Sequence, residues 1–282
     1  MINYYSLTKP GIIFGNLVTF VAGFLLAAQG VLHIGLFITS LLGLGFIIAS
    51  ACVFNNYIDR FIDQKMERTK DRGLASGLIK ERNALLFAVM LGIIGNLTLY
   101  IYTNPLTVAV ANVGFLVYVL VYSFLKYKTV HSTLIGSVAG AIPPVVGYTA
   151  VSNQLDAAAV VLFIMMIFWQ MPHFFAIALW HYEDYAKAEI PVLPVTRGAL
   201  RTKVQMALYI LGLIPTVALL TWFGHAGYVF LAFTSAVGLA WLYVSLKGFV
   251  AECDKLWGRK MFRLSLVMIN TICVLILFDF VA

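Results

Sequence analysis

The sequence predicts an all-α integral membrane protein with nine transmembrane helices, its N-terminus cytoplasmic and its C-terminus external. Three observations carry this. Of the 282 residues, 62% are hydrophobic and 11% charged, against about 25% charge in a soluble domain. Charge is absent from five long runs, residues 10–58, 83–125, 132–155, 157–182 and 204–246. All 19 Lys and Arg residues fall on one side of a nine-helix alternation.

A spanning helix needs about 20 apolar residues, so the longest runs hold two each. They divide at Gly30 to His33, at Asn104-Pro105 and at Gly224-His225-Ala226-Gly227. The predicted spans are 10–29, 34–54, 83–102, 106–125, 132–151, 157–180, 204–223, 227–246 and 262–281. The ninth carries Arg263 and Asp279 at its ends, and these must snorkel to the interfaces. Lys9 precedes the first span. The other basic residues follow the second, fourth, sixth and eighth spans. Under the positive-inside rule that side is cytoplasmic. The opposite loops are short and carry only Asp156 and Asp279.

The net charge of +7 is therefore mostly topology and gives no support to nucleic-acid binding. Cys52, Cys253 and Cys273 show no CxxC spacing. The first span is too long for a cleaved signal peptide, and no Arg-rich presequence precedes it. A bacterial cytoplasmic (inner) membrane is the expected location. The chain reads as a single transmembrane domain, residues 1–282, with charged cytoplasmic loops at about 55–82 and 181–203.

The stretch "NNYIDRFIDQKMERTKDR", residues 55–72, holds nine charged residues among eighteen. Within it, Asn55, Asp59 and Asp63 recur every fourth residue. At about 100° per residue each step of four advances about 40°, so the three side chains share one face of a helix. An amide oxygen and two carboxylates are hard ligands suited to Mg²⁺, which completes its shell with water and phosphate oxygens. Lys65, Arg68, Lys70 and Arg72 follow, and can meet the phosphates. The alternative is a solvated interfacial helix end. Positive-inside topology needs basic residues, but it does not need an Asn-Asp-Asp face. Of the five histidines, His173 lies inside the sixth span, where an intramembrane polar residue is a functional candidate by default. A buried structural histidine is the other reading. Pro143-Pro144 must interrupt the fifth helix, and broken backbone at membrane depth faces protein or a cavity.

Asn55-x3-Asp59-x3-Asp63 resembles the first aspartate motif of the UbiA superfamily of intramembrane aromatic prenyltransferases. The wider string "CVFNNYIDRFIDQKMERTKDR" is similar to one branch, the protohaem IX farnesyltransferases (haem O synthases). So are "LTKPGIIFGNLVTFVAGFLLA" at 7–27, "STLIGSVAGAIPPVVGY" at 132–148, "WQMPHFFAIAL" at 169–179 and "DYAKAEIPVLPV" at 184–195. The resemblance implies nine helices around a central cavity. It implies transfer of the farnesyl group of farnesyl diphosphate to a vinyl group of haem b, with addition of water.

By the same resemblance Asn55, Asp59, Asp63 and Asp184 hold one or two Mg²⁺ ions. Asp59, Asp63, Asp184 and His173 are the catalytic set, with His173 also toward the haem. Arg68, Lys70, Arg72, Lys126, Lys128 and Lys187 meet the diphosphate. The implied partners are the two substrates, the lipid bilayer, and haem-biosynthesis or terminal-oxidase assembly proteins. Two positions depart from the superfamily pattern. Asp184 is followed four residues on by Ala188 rather than a second Asp, and Tyr127 replaces an Arg often found after Lys126. Two rivals stand beside this reading. One is a quinone or chlorophyll prenyltransferase of the same superfamily. The other is a small-molecule transporter, which gives no reason for an acid face and a basic cluster at one membrane surface.

Overall fold

The computed structural model describes residues 2–67 and 69–279. Arg68 and the predicted end of the ninth span lie outside them. Among the described residues nine helices are long and apolar enough to cross a membrane. A short helix α1 (Ile2–Leu7) precedes α2 (Pro10–Ala28), α3 (Ile34–Asp63) and α4 (Glu81–Tyr102). Then come α5 (Pro105–Leu125), α6 (Ser132–Ser152) and α7 (Ala157–Trp180). A six-residue helix α8 (Tyr182–Lys187) leads to α9 (Leu193–Trp222), α10 (Tyr228–Val250) and α11 (Asp254–Phe278).

All nine predicted spans are present, but three helices outrun their apolar stretch. α3 continues to Asp63, α9 begins at Leu193 and α11 at Asp254. Hydropathy measures how much of a helix is apolar, and these helices extend past that limit on the side bearing the basic residues. α9 is kinked at Gly198, whose φ of 80° and ψ of 167° break its first turns from the rest.

The two acids on the opposite side terminate helices. Asp156 caps α7, its Oδ1 accepting from the amides of Ala158 and Ala159 at 3.0 and 3.2 Å. Asp279 does not snorkel. Its Oδ2 accepts from Phe230 N at 2.5 Å and its backbone carbonyl from Gly227 N at 2.7 Å, so it binds the start of α10. Each carboxylate meets the positive end of a helix dipole.

Lipid is as apolar as leucine, so helix association rests on close packing of small residues. α2 and the second half of α6 meet through glycines. A Cβ on Gly23 would lie 1.9 Å from the Pro144 carbonyl oxygen, and one on Gly147 would lie 2.2 Å from that of Phe20. α6 is interrupted at Ala141, as Pro143-Pro144 required. Both prolines sit in the first turn of the second segment, where a missing amide is tolerated. The Ser137 carbonyl next to this break accepts from Gln170 Nε2 of α7 at 3.2 Å.

Candidate active site

The helical face predicted for Asn55, Asp59 and Asp63 exists, and it is buried. Their exposures are 2%, 5% and 5%. An unpaired charge there would cost several kcal/mol, and each side chain has its own cation. Lys9 Nζ donates to Asn55 Oδ1 at 2.5 Å. Lys126 Nζ donates to Asp59 Oδ2. Arg72 Nη1 donates to both Asp63 oxygens, at 3.0 and 2.8 Å. The result is a ladder of three rungs running down α3.

Each cation is delivered by a different device. Asn56 Nδ2 donates to the Leu7 carbonyl at 2.7 Å, which pins α1 to α3. The chain then turns through Lys9 in the left-handed region, φ 52° and ψ 65°. A non-glycine residue there costs roughly 1–2 kcal/mol, and such strain concentrates at functional sites. In α5, Val117–Tyr122 winds as a π-helix, a feature frequent at such sites. Ser123 follows it and accepts from Asn55 Nδ2 at 3.0 Å, which fixes the amide's orientation. Lys126 lies one turn further. Arg72 returns along the loop after α3, and Thr69 Oγ1 secures that loop by donating to the Asp63 carbonyl at 3.0 Å. Tyr127, which the sequence showed only as a lost Arg, donates its hydroxyl to Asp59 Oδ1 at 2.5 Å.

Two carboxylates face three cations, so the ladder is electropositive. Burial lowers the pKa of Lys9 to about 8, with the Arg72 and Lys126 charges adding to the fall and Asp59 opposing it. Lys126 is lowered too, by burial first, against the pull of Asp59. Burial and then Asp59 hold the Tyr127 phenol protonated far above its ordinary range.

The ladder forms one end of a cavity of about 840 Å³. Tyr118 and Tyr122 line it, stacked with ring centroids 5.5 Å apart. So do Trp169, His173 and Phe262, where α7 meets α11. His173 stacks on Trp169 at 4.9 Å and meets Phe262 at 5.0 Å. The donor set of Asn55, Asp59 and Asp63 is all oxygen and fits a hard divalent cation. The Lys and Arg partners fit phosphate oxygens.

Other predicted site residues lie elsewhere. Asp184 sits half-buried in α8, 3.8 Å from His181 Nδ1, and is not on the cavity wall, although its neighbour Tyr185 is. Among the described residues no three His, Cys, Asp or Glu side chains gather as a metal group, so Asp184 does not join Asp59 and Asp63 here. Lys128 and Lys187 are exposed. Lys70 is also at the surface, paired with Glu67 at 2.5 Å. Lys9 was missed as a site residue because it reads as an ordinary anchor of the first span. Its signal was its place immediately before Pro10 and a long charge-free run.

A bundle of apolar helices that buries an acid–base ladder at one end of an internal chamber has the architecture of an intramembrane enzyme. Solved structures share this fold. One is a digeranylgeranylglyceryl phosphate synthase, with a TM-score of 0.80 and 16% identity over 98% of this chain and 96% of that one. Another is a UbiA homologue from Archaeoglobus fulgidus bound to DMAPP and Mg²⁺, with a TM-score of 0.74 and 17% identity over 97% and 99% of the two chains. The profile of the UbiA prenyltransferase family matches residues 16–267. A protein of Protochlamydia amoebophila (strain UWE25) named protoheme IX farnesyltransferase is 52% identical over 282 residues, all of both chains. The chain belongs to the UbiA prenyltransferase family and is a multi-pass membrane prenyltransferase.

The rungs are also structural. Arg72→Ala leaves the Asp63 carboxylate buried without a partner, and is expected to cost about 3 kcal/mol. Adding Asp63→Asn to that variant should recover most of the loss. Thermal unfolding in detergent micelles checks both, and equal midpoints for Arg72→Ala and wild type would contradict the pairing.

Proposed function

We propose that the chain transfers the farnesyl group of farnesyl diphosphate to a vinyl group of haem b, with addition of water, giving haem O. The observation that carries this is the ladder at one end of the chamber, set against the Trp169–His173–Phe262 wall. The ladder suits a metal-bound diphosphate, and the aromatic wall suits a flat apolar acceptor. The name of the full-length Protochlamydia relative supports the choice of substrates. The ligands of the Archaeoglobus homologue support a prenyl diphosphate with Mg²⁺.

In this reading the whole chain is one catalytic domain. Asn55, Asp59 and Asp63 hold Mg²⁺. Asp184, half-buried on α8, would supply the ligand for a second ion. Mg²⁺ held by these residues would neutralise the diphosphate and make it a better leaving group. Lys9, Arg72 and Lys126 turn to the diphosphate oxygens and stabilise the charge that develops on them. The exposed Lys70, Lys128 and Lys187 add a basic surface that draws the anion toward the ladder, and Arg68 is assigned to the diphosphate from the family resemblance alone. Tyr118 and Tyr122 shield the allylic cation from early attack by water and offer it a ring face. His173 serves the acceptor half, with Trp169 and Phe262 as its walls. By charge placement, the N-terminus and the ladder end face the cytoplasm of a bacterial cell and the C-terminus faces outward.

The reading is tested with purified protein in lipid nanodiscs given haem b, farnesyl diphosphate and Mg²⁺. Haem O and diphosphate are expected as products, and EDTA should stop both. Asp59→Ala and Asp63→Ala should each lower the rate by a factor on the order of 1,000; wild-type turnover in either removes the metal assignment. A reporter fused after Ala75 should read cytoplasmic, and an external signal there would reverse the orientation.

Lys9 adds a pH dependence. Its folded pKa is depressed, so its charge is present below about 8 and lost as pH rises through that value. The KM for farnesyl diphosphate should therefore climb above pH 8. Lys9→Arg, always charged, should flatten that limb. A KM that climbs equally in both proteins would exclude Lys9 from the diphosphate site.

A further inference from the structure

We propose that Ser265 is a positioning residue that orients His173 as the base for water addition. This rests on the proposed farnesyl transfer and deepens it. His173 Nδ1 lies 2.7 Å from Ser265 Oγ. Two groups with hydrogens to share could arrange this bond either way. Ser265 Oγ also lies 2.6 Å from the Phe262 carbonyl, which can only accept, and the serine's hydrogen is assigned to that bond. Its oxygen therefore accepts, and Nδ1 carries the imidazole proton. Nε2 is left with the lone pair.

The ring has little freedom to exchange these roles. Trp169 stacks on it at 4.9 Å with an interplanar angle of 26°, and Phe262 lies at 5.0 Å. Trp169 Nε1 also donates to the Ser265 carbonyl at 2.7 Å. Residues one turn apart on α7 thus both bind this one serine of α11, which is fully buried. His173 lines the cavity, and no hydrogen-bond partner of Nε2 is found among the described residues.

The reaction creates a need for such a lone pair. The terminal vinyl carbon bonds to C1 of the farnesyl group, and the C1–O bond breaks, its electron pair leaving with diphosphate. Positive charge remains on the inner vinyl carbon, beside the macrocycle. Water's oxygen gives a pair to that carbon and one of its protons moves to Nε2. The imidazolium then releases that proton to solvent. Without a base the cation has another exit. It loses a proton from the adjacent new methylene and becomes an alkene, lighter than the hydroxylated product by one water. Among the described residues on the cavity wall the carboxylates are Asp59 and Asp63, engaged by Lys126 and Arg72. His173 is the one imidazole there.

The test is product composition, read by mass spectrometry of the haems formed by protein in nanodiscs. Wild type is expected to give the hydroxylated product. His173→Ala should lower its formation about 100-fold and shift the farnesylated haem toward the dehydrated form. Ser265→Ala should shift it the same way, and Ser265→Thr, which keeps the hydroxyl, should restore the wild-type proportion. A purely structural serine would lower yield without changing that proportion. Binding of farnesyl thiodiphosphate, a non-reacting analogue held at the other end, reports whether each variant is folded. Folded His173→Ala or Ser265→Ala protein with a wild-type proportion overturns the proposal. So does a Soret shift of bound haem lost in His173→Ala, which would assign Nε2 to the iron. Should Ser265→Ala not fold, Ser265→Cys, a close isostere with a weak acceptor, must show the partial shift, and its absence overturns the proposal as well. A wild type that makes no farnesylated haem at all would instead count against the proposed function.

Discussion

Burying charge in a membrane bundle is costly without a counter-charge or a hydrogen-bonding partner, and this constraint organises the molecule. An isolated ion moved from water into an apolar interior costs several kcal/mol even after relaxation. The chain keeps the apolar stretches of its nine spans almost free of ionisable groups and, among the described residues, gathers its two buried carboxylates at one site. There Asp59 and Asp63 lie nearly inaccessible on α3, with Asn55 one turn deeper. Lys9, Lys126 and Arg72 come from three separate segments to meet them. The strained turn at Lys9, the π-helical turn in α5 and the folded-back loop after α3 all serve to deliver one cation each. The surplus of one positive charge leaves the ladder ready to accept an anion.

The same constraint separates the two ends of the chamber. The ladder is polar, charged and close to one membrane surface. The opposing wall is Trp169, His173 and Phe262, where Trp169 Nε1 and His173 Nδ1 are paired with Ser265, His173 Nε2 is left open among the described residues, and the rest is ring surface. Charge develops on the diphosphate at one end, while the allylic carbon moves toward an apolar acceptor at the other. Tyr118 and Tyr122, stacked along the wall near the ladder, lie where a cation in transit would need shelter from water.

The span count was legible because hydropathy is local and strong. The face of Asn55, Asp59 and Asp63 was legible because helical periodicity is local too. Helix ends were less so: α3, α9 and α11 continue past their apolar stretches, since a helix does not stop where lipid does. The partners of the face were not legible as pairs. Lys9 is 46 residues from Asn55 and Lys126 is 67 from Asp59, and no spacing rule connects them. Tyr127 looked like the loss of a charge and instead supplies a hydrogen bond to Asp59. Asp279 looked like a residue escaping the bilayer and instead binds the start of the preceding span α10, because a contact with a helix terminus 49 residues back in the chain is invisible in sequence. Ser265 carries no signal at all until its contact with His173 is seen.

The central claim is that the ladder is a joint site for a divalent cation and a diphosphate. Calorimetric titration of Mg²⁺ into the reconstituted protein, with and without farnesyl thiodiphosphate, tests it most directly. Because each ligand shields the charge that opposes or attracts the other, their binding should be coupled, with Mg²⁺ affinity rising about tenfold or more when the analogue is present. Asp63→Asn should remove that coupling. Equal Mg²⁺ affinity in both conditions, or coupling that survives in Asp63→Asn, would contradict the account.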